Sequence, residues 1–352
     1  MPTTNRKVVM KQLPVGVPTP ADFEIVSESL GDIEDGQMLL RTRWLTLDPY
    51  MRSVFMPRPD NVGTTVIGGT VSEVIESRTP AFEAGDLVVG YYGWQEHSIG
   101  TPADLQWNNP NLPIRKWDGS LGAPSTALGV LGMTGYTAYE GLVNVAKVEP
   151  GETVVVSAAS GAVGQVVGQL AKIHGARAVG IAGGPAKCGF CVDELGFDAC
   201  IDYKAGKLAA DLAAATPDGI DIYFENVGGD VLEAVIPRLN PGARVPICGF
   251  IAHYNETPDT RRMNPLQRLQ AEGLPALGRD GSTEGYAFFG FSNLATRHPE
   301  AEQALETLSE WIESGRLKYR ESITVGLNSA VDAFIGMLGG ENFGKTMVRV
   351  SG

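Results

Sequence analysis

The residues with the plainest chemical meaning in this chain are small ones. The apolar run Val154-Val155-Val156 leads into Ser157-Ala158-Ala159-Ser160-Gly161-Ala162-Val163-Gly164 and then into a helix-like pattern from Gln165 to His174. A strand that turns this tightly into a helix leaves bare backbone N–H groups pointing outward. At a helix N-terminus such groups suit a pyrophosphate. Ala159, Gly161 and Gly164 fill the three small-residue positions of the dinucleotide fingerprint, with alanine in place of the first glycine, and Ala162 and Val163 complete the turn. The next apolar run, Ala178 to Ala182, ends in Gly183-Gly184, where a carboxylate for a free ribose hydroxyl would stand; Lys187 follows instead. A missing carboxylate and a nearby cation suit a 2′-phosphate, which points to NADP(H) rather than NAD. The alternative for Lys187 is a solvated lysine at a helix start.

These residues need a scaffold. From Glu152 onward, the spacing predicts strands over 153–158, 177–182, 199–203, 220–225 and 243–248. Helices are predicted over 163–174, 185–195, 206–215 and 230–238, with Pro185 suited to a first turn and Gly196 to a stop. Apolar strands alternating with helices predict an α/β fold with a doubly wound parallel sheet. Ahead of it, the chain reads as β-rich, with short apolar runs at Val8–Met10, Met38–Trp44, Thr64–Glu76 and Leu87–Tyr92 between turn signals. Helical spacing appears over 126–132 and 137–142. Residues 250–285 hold no strong period and read as a long irregular segment, a lid or pocket wall. Ala287–Phe291 reads as another strand and Pro299–Ser314 as an amphipathic helix. Thr346–Val350 reads as a strand with no local partner, expected back in the N-terminal β region.

Composition narrows the partners. A chain of 352 residues is long enough for two domains, each with its own core. A net charge of −13 without any basic run argues against nucleic acid and anionic membrane surfaces, leaving a small-molecule ligand. Met1–Leu13 contains no apolar signal region, and no stretch approaches a membrane span, so a cytoplasmic location is expected. Cys188, Cys191, Cys200 and Cys248 are too few for a disulfide framework and too dispersed for a structural zinc site. Reduced thiols are expected, with Cys188-Gly189-Phe190-Cys191 on a packed helix face rather than in a redox motif.

Six motifs in order carry a wider signal: Leu47-Asp48-Pro49-Tyr50-Met51-Arg52; Gly85-Asp86-Leu87-Val88 with Gly93-Trp94-Gln95-Glu96; Leu131-Gly132-Met133-Thr134-Gly135-Tyr136-Thr137-Ala138-Tyr139; the stretch 158–164; Tyr223-Phe224-Glu225-Asn226-Val227-Gly228-Gly229; and Asn342-Phe343-Gly344-Lys345. Over nearly its whole length the chain resembles the zinc-independent medium-chain dehydrogenases/reductases, and within them the prostaglandin reductase or alkenal double-bond reductase group. The resemblance implies a GroES-like β-rich domain from residues 1–125 and 296–352, a Rossmann NADP-binding domain over 126–295, and an active cleft between them. It implies Tyr203 near the 2′-phosphate and Asn342 at a phosphate, unless Asn342 is simply a turn residue before Gly344. Thr134 is expected near the nicotinamide ribose or as a helix cap. Asn226 and Val227, closing the fourth strand, are expected to flank the nicotinamide, and Phe289 and Phe291 to join the cofactor contacts. The strand Ala287–Phe291 is expected to pair across a two-fold axis in a homodimer. Where related dehydrogenases carry a Gly-His-Glu turn for catalytic zinc, this chain has Ile67-Gly68-Gly69-Thr70, so no metal is expected. Gly290-Phe291-Ser292-Asn293 departs from the family's usual apolar pair, which alters the substrate lining.

The implied activity is NADPH-dependent reduction of the carbon–carbon double bond of α,β-unsaturated ketones and aldehydes. Hydride reaches the β-carbon, charge develops on the carbonyl oxygen as an enolate, and a donor aimed at that oxygen lowers the barrier. Tyr254 lies just after the fifth strand, at the carboxyl edge where this fold binds ligands, and its phenol can donate to the enolate or the ribose. Its alternative is a loop aromatic that closes the cleft. Tyr50 is the second catalytic candidate, either touching substrate or packing. Arg52 reads as an ion-pair partner holding its loop, and Tyr92 and Trp94 as a substrate-lining wall, together with Phe291, or as core. Two rivals stay open: an NADPH quinone oxidoreductase on the same fold, and a non-catalytic NADPH-binding protein.

Overall fold

The computed structural model describes residues 3–103, 114–263, 265–273, 276–277 and 299–351. The chain divides into two units, Met1–Gly132 with Glu321–Gly352, and Met133–Arg320.

In the first unit, β1 (Thr4–Met10) and β2 (Phe23–Ser29) pair antiparallel along their full length. A larger sheet runs in the order β14 (Glu321–Val325), β15 (Lys345–Arg349), β3 (Met38–Thr46), β4 (Thr70–Ser77), β5 (Leu87–Gly90), β7 (Arg115–Lys116), and β6 (His97–Gly100) also pairs with β3. The C-terminal strand does return: β15 lies antiparallel to β3, with Met347 opposite Thr46. One core gathers Leu45, Phe55, Trp94 and Val348 with Phe334 of the helix Ala330–Leu338. The sequence reading does not anticipate β2, β6, β14 or this helix. β2 shows why: most of its residues are exposed, so its apolar pattern is faint.

The second unit is built on β8 (Thr153–Ser157), in which every residue is buried, as befits a central strand covered on both faces. With β9 (Arg177–Ala182), β10 (Ala199–Asp202), β11 (Ile220–Phe224), β12 (Leu239–Pro246) and β13 (Ala276–Leu277), it forms a parallel sheet of order β10-β9-β8-β11-β12-β13. This is the doubly wound 3-2-1-4-5-6 order. Helices α1 (Met133–Tyr139), α2 (Gly164–Ile173), α3 (Pro185–Gly189), α4 (Leu208–Ala215), α5 (Gly229–Val235) and α6 (Pro265–Ala271) belong to it. On one face, Val155, Val179 and Ile181 pack with Leu212 of α4 and Val231, Leu232 and Val235 of α5. On the other, the Phe197 ring wedges between α2 and β9. A Cβ at Gly168 would lie 1.9 Å from it and one at Gly180 3.2 Å, so two glycines set how closely helix and sheet approach.

Several expectations are adjusted. The helical spacing over 126–132 becomes a 3-10 turn, Pro124–Leu128, and the helix proper starts at Met133. The helix over 185–195 is α3 followed by a π-type turn, Phe190–Glu194. The segment 250–285 is not wholly irregular: it holds the turn Ile251–His253, α6, and β13 in the sixth position of the sheet. The expected strand Ala287–Phe291, with Phe289 and Phe291, lies outside the described residues. The expected boundaries at 125/126 and 295/296 fall here at 132/133 and 320/321. The helix α7 (Pro299–Glu313) therefore belongs to the second unit. It buries Ala301, Ala304, Leu305 and Leu308, and its Trp311 meets Tyr139 of α1 with ring centroids 6.4 Å apart. Among the described residues no helix is long and apolar enough to cross a membrane.

Candidate functional site

The fingerprint turn shows why its residues are small. Ala158 leaves β8 at φ 51, in the left-handed region that is uncommon outside glycine. The chain folds back at once, with Gly161 N donating to Ala158 O at 2.8 Å. A Cβ at Gly164 would stand 2.3 Å from Ala158 O and 2.8 Å from Ala159 Cα, so no larger residue fits while the turn keeps this shape. Ala159 is fully buried, and a Cβ at Gly180 on β9 would meet its methyl at 2.8 Å. The alanine that replaces the first fingerprint glycine is thus accommodated by a glycine on the next strand. Gly161, Ala162 and Val163 stay half-exposed at the start of α2.

β9 and β10 end side by side, with Ala182 opposite Asp202. The Asp202 carboxylate accepts from Gly184 N at 2.7 Å and Lys204 N at 2.9 Å, which pins the two following loops together. The Tyr203 ring lies over Gly183, where a Cβ would sit 2.9 Å from it. Lys204 Nζ stands 5.9 Å from the ring centroid. Lys187, half-buried in α3, has its pKa lowered by burial and then by the like charge of Lys204. Two ammonium groups and a phenol therefore gather at the carboxyl ends of β9 and β10. Like charges held together raise the energy of the chain alone and lower it once a dianion joins them. Sequence reasoning missed Lys204; its signal was adjacency to Tyr203. Just behind, Cys200 hydrogen-bonds with Cys191 and Cys188. All four cysteines are free thiols, Cys191 is buried, and burial pushes Cys188 up to about 12, which suits a packed, unreactive helix face.

β8 and β11 flank the point where the strand order reverses, and ligands of such sheets bind outside the carboxyl ends there. Glu225 follows β11 and is completely buried. Its Oε1 accepts from Ser157 Oγ (3.1 Å), Tyr223 OH (2.9 Å), Val227 N (2.7 Å) and Gly228 N (3.0 Å). Among the described residues its Oε2 has no hydrogen-bond partner. Burial raises the Glu225 pKa, and the four donors offset only part of that rise, so it stays above that of a free carboxyl. The Asn226 side chain donates to Ser157 O at 2.8 Å, which ties the two strand ends together. Ala252 N donates to Val227 O at 3.0 Å, joining this loop to the one after β12. That second loop carries Tyr254, half-buried, whose OH accepts from Phe250 N at 3.3 Å. Thr134, in the first turn of α1, is buried, and among the described residues its hydroxyl has no partner and makes no capping bond.

In the first unit, Asp48 Oδ1 meets Lys345 Nζ at 2.6 Å with both side chains 4% exposed. Lys345 Nζ also donates to Leu47 O at 2.9 Å, and Thr46 Oγ1 donates to Asp48 Oδ2 at 2.7 Å. The Tyr50 and Tyr91 phenols interact close by. Burial raises the Tyr50 pKa well above that of a free phenol, and Tyr91 and the Asp48 charge raise it further, so Tyr50 stays a neutral donor. Arg52 is buried and donates to Gly16 O at 2.8 Å, with the Asp22 charge near it, which ties its loop to residues 14–16. Asn342 Nδ2 donates to Gly344 O at 2.9 Å, within its own turn. Tyr92 and Trp94 are core rather than an exposed wall. Trp94 is fully buried between Phe23 and Phe334, and Tyr92 packs with Met38, Leu40 and Val88. Tyr91, missed in the sequence, is the half-exposed member of the pair. A Cβ at Gly68 would lie 2.9 Å from Leu45 and 3.0 Å from Trp94, so that turn has no room for a ligating side chain. Among the described residues no group of three or more His, Cys, Asp or Glu could hold a metal ion.

Comparison with known proteins agrees with this arrangement. The family model described as the N-terminal domain of oxidoreductase matches residues 6–107, and that of zinc-binding dehydrogenase matches residues 162–278. The chain is 41% identical to the NADPH-dependent curcumin reductase of Escherichia coli, over 99% of this chain and 97% of that one. It is 38% identical to prostaglandin reductase 1 of Sus scrofa, over 95% and 96%. The structure of CurA from Vibrio vulnificus in complex with NADPH superposes with a TM-score of 0.84 at 40% identity, covering 99% of each chain. With its strand order, its glycine turn and no zinc-ligating turn at 67–70, the chain belongs to the zinc-independent medium-chain dehydrogenases/reductases, a family of oxidoreductases.

Proposed function

We propose that the chain reduces the carbon–carbon double bond of α,β-unsaturated ketones and aldehydes with NADPH. The observation that carries this reading is the convergence of Lys187 and Lys204 beside Tyr203, next to a turn whose Gly164 leaves no space for a side chain. These residues fit a phosphorylated dinucleotide. The 161–163 backbone at the start of α2 would hold the pyrophosphate, and the two lysines and Tyr203 the 2′-phosphate. Asn226, Val227 and the Thr134 hydroxyl would hold the nicotinamide half. The names of two relatives, an NADPH-dependent reductase and a structure complexed with NADPH, support the same coenzyme.

When bound, the coenzyme supplies the hydride; orientation and charge stabilisation fall to the protein. In this reading the Tyr254 O–H donates to the carbonyl oxygen as it becomes an enolate. Tyr50, kept protonated by burial, offers a second neutral donor. Asp48 and Lys345 neutralise each other and so add no net charge beside it.

The test is NADPH oxidation measured with medium-chain 2-alkenals, open-chain enones and quinones, with NADH in parallel. Turnover of alkenals and enones with a strong preference for NADPH is expected. Turnover confined to quinones would replace the substrate class, and equal use of NADH would remove the 2′-phosphate role of the lysines.

A further inference from the structure

Nothing in the proposed reaction so far uses the Glu225 carboxylate, yet burying an ionised group is costly unless something compensates it. Every group bonded to Glu225 Oε1 is a donor: two hydroxyls and two amides. Among the described residues Oε2 has no partner, so a carboxyl proton placed there would find no acceptor among them. The four bonds favour the ionised form against the burial that raises its pKa, and among the described residues they leave the second oxygen uncompensated. The carboxylate is fixed at the carboxyl end of β11, beside the strand-order reversal, and in this sheet order that half of the unit receives the nicotinamide.

We propose that Glu225 is a preorganised negative charge that favours the oxidised, cationic nicotinamide over the reduced, neutral one, and so promotes hydride donation. The inference rests on the coenzyme reading above. The bookkeeping is simple. A hydride, carrying its electron pair, passes to the β-carbon, and the ring is left with one positive charge. The carbonyl oxygen takes the negative charge, and the α-carbon then takes one proton from the medium. Glu225 stays ionised throughout and touches no reacting atom. It acts because charge fixed before the reaction needs no reorganisation during it and is weakly screened in a buried setting. The competing role is mechanical: the same carboxylate holds the Val227 and Gly228 amides, and removing it could simply loosen the loop.

Binding of the two redox forms separates these roles. Glu225→Gln can keep a carbonyl oxygen on the four donors and place its amide where Oε2 now stands bare. The affinities of wild type and E225Q for NADP⁺ and for NADPH are measured by titration calorimetry, without any substrate. E225Q should weaken NADP⁺ about tenfold more than NADPH, and Glu225→Asp, which keeps the charge, should retain most of the wild-type preference. Equal losses for both forms would leave Glu225 as a loop anchor and overturn the proposal, as would no loss. Tyr223→Phe guards against misfolding of E225Q: it keeps the carboxylate and removes one donor, so relative NADP⁺ affinity should hold or rise, and a fall would also overturn it. If wild type binds neither form, the coenzyme reading itself fails, an outcome distinct from all of these.

Discussion

In the first unit Lys345 meets Asp48 at 2.6 Å, out of water, with Leu47 O and Thr46 Oγ1 completing the set. In the second unit Lys187 and Lys204 gather at the ends of two strands, and the Lys204 charge helps to lower the Lys187 pKa. The same residue type does opposite work. Where cation and anion satisfy each other internally, the pair is scaffold, and the groups beside it fit for chemistry are neutral phenols. Where like charges converge and an outside partner would settle them, the cluster is a binding surface. The comparison makes a sharp demand: losses in the first case should appear in folding, and in the second in ligand affinity.

The largest effect should come from splitting the buried pair. Asp48→Asn or Lys345→Met leaves one charge buried without its partner, which typically costs about 3–5 kcal/mol of stability. Urea unfolding followed by fluorescence measures it, and the double variant should cost less than the two single ones combined, since each removes the other's reason for being charged. A loss below about 1 kcal/mol for both single variants would mean the pair behaves like a surface salt bridge, and the contrast between the units would collapse.

Tyr254→Phe should behave in the opposite manner. Its half-buried phenol accepts a long bond from Phe250 N, a neutral hydrogen bond typically worth about 0.5–1.5 kcal/mol, so the folding loss should be small beside the catalytic one. Loss of one donor to a developing oxyanion typically raises the barrier by about 2.7–4 kcal/mol. Turnover with an enone should therefore fall roughly a hundredfold to a thousandfold, with NADPH affinity kept. Unchanged turnover would retire the phenol as an enolate donor and shift attention to Tyr50.

The two units also differ in how much of them can be read from sequence, for physical reasons. In the second, strands covered on both faces must be apolar throughout, and helices between them repeat at a steady interval, so 153–157, 177–182 and 220–224 stand out. The fingerprint turn is legible because backbone crowding at Gly164 excludes every side chain. In the first unit strands are short and half-exposed, and the decisive question is parity along the strand. Tyr91 and Tyr92 are adjacent and chemically identical; which one enters the core depends on the fold around them, and here Tyr92 packs with Met38, Leu40 and Val88 while Tyr91 is half-exposed. Glu225 was quoted only as part of a motif. Its burial, its four donors and its bare oxygen arise from residues 157, 223, 227 and 228 brought together by the sheet, a constellation with no linear signature.

A smaller effect is expected at the lysines. Lys187→Ala should weaken NADPH roughly tenfold to a hundredfold while NADH changes little, the usual range for a hydrogen bond to a charged group. Lys204→Ala should cost roughly two- to fivefold, because its ammonium is exposed and screened. Lys204→Ala should not reduce folding stability, since it removes the like charge beside Lys187. Coenzyme titration with both nucleotides decides the matter, and an equal loss for NADPH and NADH would show that the pair does not read the 2′-phosphate.

The smallest effect is the most direct probe of the repulsion itself. Burial and Lys204 hold the Lys187 pKa below that of an ordinary lysine. A cation with a lowered pKa is fully charged at neutral pH and loses its proton earlier as pH rises. The preference for NADPH over NADH should therefore decline as pH rises, and the decline should begin at lower pH than the titration of a free lysine near 10.4. Tyr50 takes no part in this decline, since its pKa moves the other way and it keeps its proton. Removing the neighbouring charge gives the discriminating measurement. In Lys204→Ala the Coulombic part of the shift is gone while burial remains, so the midpoint of the decline should move to higher pH. A midpoint that stays in place would assign the whole shift to burial, and the two ammonium groups would then be neighbours without being coupled.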